Sequence, residues 1–322
     1  MRIAVLGPGA VGSYLACMMG RRDHAVTVLA RGERAAAIRA HGIRMQRKDG
    51  EALQVRPAVA EGPEGLGAPD VAFICVKAYS VPALVPALAA LSRAGSEIVF
   101  VQNGIPWWYL AEPAGDGGSA LDPGGAIAAA VAADRVIGCV TYVNVRNAGP
   151  GLADHAGDDT FALGRPDGRL DAALERIVAA MVDAGIAARA GDQIRRDIWV
   201  KLWGNLAFNP ISALTGATMD KIIAEPDTRP LVMAMMREAQ ALAAAGGIAF
   251  PLTIDQRLEV ASRAGAFKTS MLQDLEAGRQ LEIDAIIGAV SEYGRRVGVP
   301  TPSVDIVLGL VRQKARELGL AG

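Results

Sequence analysis

This sequence predicts an α/β architecture: a doubly wound parallel sheet in its first half and an all-α domain in its second. Three observations predict it. Short, continuously apolar runs alternate with helical stretches over the first hundred residues, a glycine-rich turn closes the first run, and strand signals stop near Asp192. Strands buried on both faces read as unbroken apolar runs, and helices alternating with them imply a parallel sheet covered on both sides.

Strands are expected at Ile3 to Leu6, Ala25 to Ala30, Val71 to Val76 and Ile98 to Val101, each bounded by glycine, proline or charge. Between the first two, Val11 to Arg21 has the alanine and methionine content of a helix. Residues 111–125, rich in glycine, proline and aspartate, read as a loop insertion on the first domain. Beyond them Val136 to Val145, Gly151 to His155 and Thr160 to Leu163 read as shorter strands of an antiparallel extension. Leu170 to Ala184 reads as a helix ended by Gly185. Helical patterns then cover Ile194 to Phe208, Leu231 to Ala245, Ile254 to Ala264, Ile283 to Val297 and Val304 to Leu318. The boundary is expected near residue 190, giving domains 1–190 and 191–322.

A chain of 322 residues is long enough for two domains, and 51% hydrophobic residues give each a core. Lys and Arg number 33 against 34 Asp and Glu, a net charge of −1. That balance supplies no electrostatic reason for a nucleic-acid or anionic-membrane partner, so any bound anion must be held by local groups. Cys17, Cys75 and Cys139 lie far apart in apolar runs. They read as buried small hydrophobes in a reducing compartment rather than as a disulfide framework or zinc site, and no metal is expected. The N-terminus carries no signal-peptide pattern, and no apolar run reaches the roughly 18–20 residues that span a bilayer. A cytoplasmic protein is expected, and the apolar helical half suggests a homodimer.

The glycine motif is Gly7-Pro8-Gly9-Ala10-Val11-Gly12. Alone it is weak; here it follows a strand, opens a helix and precedes a second strand, the context of a Rossmann dinucleotide site. Gly7 allows the tight turn, Gly9 lets the backbone approach a pyrophosphate, and Gly12 lets helix and sheet pack closely. The helix start then offers free N–H groups to phosphate. After the second strand stands Arg31, 19 positions past Gly12, with Arg34 close behind. An acidic residue there would accept ribose hydroxyls, whereas an arginine clamps a 2′-phosphate, so NADP(H) is favoured over NAD. Lys77 and Asn103 follow the third and fourth strands, where ligands of open parallel sheets bind. Either one is also an ordinary turn residue.

In the second half, Ile198 to Asn209 is apolar nearly all round, and its polar side chains Lys201, Asn205 and Asn209 recur every four residues. That spacing keeps all three within an arc of roughly 80° on a helix. Asparagine is a poor helix former and a buried ammonium needs partners, so the stripe reads as a substrate site with an activated lysine. A solvated groove or a hydrogen-bonded contact between domains would also account for it. Thr269-Ser270 and Glu282, with Asp284 after it, are further polar candidates, although acidic residues in a first helical turn often only complement the helix dipole.

GPGAVG at 7–12, Arg31, VKA at 76–78, QNG at 102–104, KLWGNLAFNPISALT at 201–215 and TSMLQDLEAGRQLEID at 269–284 together resemble the ketopantoate reductase (2-dehydropantoate 2-reductase) family over nearly the whole chain. The resemblance implies an NADPH-binding Rossmann domain joined to a helical domain similar to that of 6-phosphogluconate dehydrogenase. It implies reduction of a 2-oxo acid to a 2-hydroxy acid, 2-dehydropantoate to pantoate foremost, in pantothenate biosynthesis. Lys201 then corresponds to the general acid and Glu282 to its acidic companion, which also borders the cofactor. Asn205, Asn209 and Ser270 match positions that hold substrate oxygens, and Asn103 and Lys77 match positions beside nicotinamide and substrate. Phe267 stands where a polar residue is expected, and with Trp107-Trp108 it suggests apolar walls for the substrate. Two other readings remain open at this point: a paralogous 2-oxo acid or opine-type imine reductase, and a non-catalytic NADP(H) sensor.

Overall fold

The structure, a computed structural model, describes residues 1–111, 118–263 and 265–320. The chain falls into two compact units: residues 1–102 with 125–194, and residues 103–124 with 195–322.

The first unit opens with β1 (Arg2–Leu6), α1 (Ala10–Gly20), β2 (Ala25–Leu29) and α2 (Gly32–His41). Then come β3 (Ile43–Arg47), β4 (Ala52–Val55), β5 (Ala58–Ala60), β6 (Val71–Ile74), α3 (Val85–Arg93) and β7 (Glu97–Phe100). A short ribbon, β8 (Gly118–Ser119) with β9 (Asp122–Pro123), belongs to the second unit. The first unit resumes with α4 (Ala126–Ala130), β10 (Val136–Gly149), β11 (Leu152–Gly164), α5 (Ala172–Asp183) and β12 (Ala187–Ala190).

The sheet runs β4-β3-β11-β10-β7-β6-β1-β2-β5, with β12 beside β11. From β5 to β10 every pairing is parallel. The chain leaves β1 for β2 on one side and later returns to β6 on the other, so the glycine turn after β1 lies at the switch point where such sheets bind ligands. Strand side chains alternate between faces. Ile3, Val5, Val71, Phe73, Val99 and Ile137 join α1 and α5 in one core cluster. The intervening Ala4, Leu6, Ala72, Ile74, Ile98 and Phe100 are equally buried, and α3 packs against β7. Both faces are therefore covered, which is why these strands read as unbroken apolar runs. This is the Rossmann-type sheet that the sequence predicts.

The differences have physical causes. Gly151 to His155 and Thr160 to Leu163 are one strand, β11, bent at Gly157 and Asp158, whose φ values are 131° and 47°. The extension is antiparallel only between β10 and β11, because β10 joins β7 in parallel. The strands β3, β4, β5 and β12 were not anticipated: they are short and partly exposed, and a sequence such as Ile43-Arg-Met-Gln-Arg47 carries too little apolar signal. Of the 111–125 segment, Ala111 and residues 118–124 group with the helices and Gly125 with the first unit, while residues 112–117 lie outside the described residues.

The second unit is built on α6 (Ile194–Thr215), α7 (Met219–Ala224), α8 (Arg229–Ala245), α9 (Ile254–Ser262), α10 (Ser270–Glu276), α11 (Ala289–Val297) and α12 (Pro302–Glu317). The helix expected to end at Phe208 runs on through Pro210 to Thr215. An interior proline costs about 3 kcal/mol, but Ile211 and Ala213 beyond it are buried and keep the helix packed. The pattern from Ile283 begins as a π-helical turn, Asp284–Gly288, before α11. Ala264, the expected end of α9, lies outside the described residues. Among the described residues no helix is long and apolar enough to cross a membrane.

Arg165 is 2% exposed, pairs with Glu97 at 2.8 Å, and grips Asp171 through Nε and Nη2 at 3.0 and 3.2 Å. Asp171 is also the N-cap of α5, accepting from Leu174 N at 2.9 Å. Burial works against the Asp171 charge, yet the bonds from Arg165 and the Leu174 N–H outweigh it and hold the carboxyl below the usual carboxylate range. Asp171→Ala removes the cap and leaves Arg165 short of a partner, and is expected to lower unfolding stability by about 2–4 kcal/mol at pH 7. A depressed folded pKa stabilises above the unfolded value of about 4 and is lost as pH falls through the folded value. The gap between wild type and variant in urea titrations should therefore narrow below pH 4.

Candidate cofactor and catalytic sites

In the first unit the glycine turn shows three different reasons for glycine. Gly7 has φ +88°, and a Cβ there would stand 2.5 Å from Val76 Cγ1. At Gly12 a Cβ would stand 2.3 Å from the Gly7 oxygen, so only glycine lets α1 start this close to β1. At Gly9 a Cβ would meet nothing within 4 Å. Nothing in the chain requires glycine at position 9, while a ligand backing onto the turn would. Gly9 is the N-cap of α1 and no side chain caps it, so the first-turn N–H groups, including those of Ala10, Val11 and Gly12, are left for an anion. The residues thus fit a dinucleotide pyrophosphate.

Arg31 lies at the N-cap of α2, exposed, its Nε donating to the Glu61 carbonyl at 3.2 Å. Lys77 is half-buried and opens the 3-10 turn Ala78–Ser80, one residue past the Val76 that packs on Gly7. Arg34 reaches the Pro8 carbonyl at 2.5 Å, a contact that no sequence pattern signalled.

In the second unit Lys201 Nζ donates to Asn103 Oδ1 at 2.8 Å, and Asn103 Nδ2 approaches Glu282 Oε2 at 3.4 Å. Glu282 is 5% exposed. Residues 98 and 179 positions apart thus form one polar chain. Two anchors bring Asn103 there. Gly104 has φ +81°, and a Cβ on it would stand 2.1 Å from the Ala285 oxygen, while Ile105 N donates to that same oxygen at 2.8 Å. The π-helical turn therefore receives the 103–105 segment backbone to backbone, three residues from Glu282. The second anchor is aromatic. Tyr109 accepts from Trp199 Nε1 at 2.8 Å, meets Tyr293 edge-on at 5.8 Å, and lies under the Arg195 guanidinium at 4.5 Å.

These anchors correct two expectations. Asn103, expected with Lys77 at the strand ends, belongs to the helical unit with Lys201. Trp107 and Trp108, expected with Phe267 as apolar walls, are 6% and 5% exposed and packed inside the unit, Trp108 beneath Arg195, whereas Phe267 is 44% exposed, so the three do not share one environment. On α6, Asn205 is half-buried and Asn209 buried, in line with Lys201. Ser270 is exposed at the first position of α10; the buried hydroxyl is that of Thr269, which caps the helix by accepting from Leu272 N at 3.2 Å.

Profiles of two families cover this geometry. That of ketopantoate reductase (PanE/ApbA) matches residues 3–168, and that of its C-terminal domain (PanE/ApbA C terminal) matches residues 193–315. The chain belongs to the ketopantoate reductase family. A 2-dehydropantoate 2-reductase of Mesorhizobium japonicum is 44% identical over 99% of each chain. A Ralstonia solanacearum protein of known structure superposes with a TM-score of 0.93 at 38% identity, covering 99% of each chain. The 2-dehydropantoate 2-reductase of Geobacter metallireducens does so with a TM-score of 0.86 at 29% identity, over 98% of this chain and 100% of the other. Ketopantoate reductases are NADPH-dependent oxidoreductases acting on a CH–OH group, so this member is an enzyme rather than a non-catalytic sensor.

The glycine geometry yields a test within this ketopantoate reductase family member. Gly9→Ala should fold with unchanged melting temperature yet lose about tenfold or more in NADPH affinity, because the methyl intrudes only on a bound ligand. Gly12→Ala should instead lower the melting temperature by several degrees, the shift that about 1–3 kcal/mol of overpacking produces. Calorimetric melts and fluorescence titrations of both variants separate the two outcomes.

Proposed function

We propose that this enzyme reduces 2-dehydropantoate to pantoate with NADPH, using the first unit for the cofactor and the second for the substrate, with Lys201 as general acid. The observation that carries the reading is the Lys201–Asn103–Glu282 chain inside a family of ketopantoate reductases. Bound NADPH supplies a hydride to the C2 carbonyl carbon. As the carbonyl π pair moves onto oxygen, the Lys201 ammonium donates a proton to it and becomes a neutral amine, which solvent reprotonates. Asn103 Oδ1 accepts a hydrogen bond from one Lys201 N–H and so orients the remaining N–H bonds. Glu282, buried beside Asn103, accepts from its Nδ2 and so fixes which end of the amide faces Lys201. Asn205, Asn209 and Ser270 supply neutral donors suited to a carboxylate and a hydroxyl. Arg31 is assigned to the 2′-phosphate, with Lys77 beside the cofactor.

Lys201→Ala should lower kcat by about 10²- to 10⁴-fold, the range for losing a general acid, with NADPH affinity nearly unchanged. Stopped-flow oxidation of NADPH and cofactor titration check both halves. Near-normal turnover would remove Lys201 from the mechanism.

Arg31→Ala should weaken NADPH by about 10- to 150-fold, the contribution of charge-assisted hydrogen bonds, and leave NADH nearly unaffected. Among ketopantoate, 2-oxoisovalerate and oxaloacetate, kcat/KM should be highest for ketopantoate, whose hydroxyl the asparagines can bond. A preference for oxaloacetate would overturn the substrate assignment.

A further inference from the structure

The carbonyl oxygens of the glycine turn are drawn inward. Gly7 O accepts from Gly9 N at 2.8 Å, and Gly9 O accepts from Ser13 N at 2.9 Å. The Pro8 carbonyl has no such backbone donor, and two side chains hold it: Arg34 Nη1 at 2.5 Å and Ser13 Oγ at 3.1 Å. Ser13 is buried on α1, whereas Arg34 comes from the first turn of α2 and crosses to the turn. A carbonyl oxygen facing a phosphate repels it, so a turn that is to receive a pyrophosphate must keep its oxygens occupied and show its N–H groups. The two arginines after β2 are therefore committed differently. Arg31 donates to Glu61 O, and Arg34 to the glycine turn itself.

We propose that Arg34 is a positioning residue for the dinucleotide pyrophosphate: it withdraws the Pro8 carbonyl, sets the N–H groups of the turn, and places a positive charge beside them. It does not read the 2′-phosphate. The inference rests on the NADP(H) reading of the glycine turn and adds a division of labour between neighbouring arginines. Arg31 separates NADPH from NADH, whereas Arg34 serves the part that both share.

The test is isothermal titration calorimetry of the purified enzyme with NADPH, NADH and adenosine 2′-phosphate, which carries the 2′-phosphate but no pyrophosphate. Arg34→Gln should weaken NADPH and NADH by the same factor, about tenfold, as for loss of one hydrogen bond from a charged donor. Adenosine 2′-phosphate binding and the melting temperature should stay at wild-type values. Arg34→Lys, which keeps the charge, should recover part of the loss, and Ser13→Ala should show the same pattern more weakly. Weakened NADPH and adenosine 2′-phosphate with NADH spared would overturn the proposal and make Arg34 a 2′-phosphate contact. Unchanged binding of all three, or loss of all three with a lowered melting temperature, would overturn it as well. Failure of the wild type to bind either dinucleotide would instead remove the cofactor reading beneath it.

Discussion

At Gly104 the backbone comes so close to the Ala285 carbonyl that no side chain fits, and the polar set around Lys201 follows from that approach. Only a residue without Cβ takes φ +81° easily, and the Ile105 N–H closes the contact with a 2.8 Å bond. The segment held this way carries Asn103 at one end and Tyr109 at the other. Trp199, bonded to Tyr109, lies on α6 two residues before Lys201, so one stretch of coil is fastened to the same helix at two points. Buried polar groups are favourable only when each finds its partner. The two anchors remove the freedom that would let Asn103 leave Lys201 and Glu282 unmatched.

Much of the architecture was legible because the signals are local. Apolar runs such as Val71 to Ile74 are continuous because both faces of the strand are covered, and GPGAVG needs only its own turn to make sense. The helical second half was legible from periodicity. What escaped depends on distant chain. Whether residues 103–111 join the sheet or the helices is decided by Trp199, Tyr293 and Ala285, which no local pattern reveals. The outermost strand β4 and its neighbour β3 pair through backbone bonds while exposing polar side chains, so their sequences resemble coil. At the site, the spacing of Lys201, Asn205 and Asn209 was readable, but the meeting of Lys201 with Asn103 was not. Asn103 looked like a strand-end residue, because it follows β7 by three positions.

Long cations do much of the work that backbone ladders cannot. Lys314 donates to the carbonyls of Ala213 and Leu214 at 2.7 and 2.9 Å, satisfying the end of α6 beyond its internal proline. Arg296 does the same for Leu110, and Arg165 for Asp134. Arg165 and Arg296 also pair with carboxylates, Glu97 and Asp171 for the first and Glu292 for the second, so each guanidinium satisfies a carbonyl and a buried or half-buried acid at once.

The π-helical turn at Asp284–Gly288 has a consequence for how this chain tolerates changes in length. A π turn holds an extra residue relative to an α turn, and each residue of an α-helix advances about 100° around the axis. Removing one residue from 284–288 would let the turn relax into ordinary α-helix and leave α11 seated on its packed face. The residues just before the deletion would then turn by about 100° relative to α11, and Glu282 would swing away from Asn103. The buried Leu281 and Ile283 would turn with it, so a deletion here would reach both the packing and the site, whereas the same deletion in an exposed loop would leave both untouched.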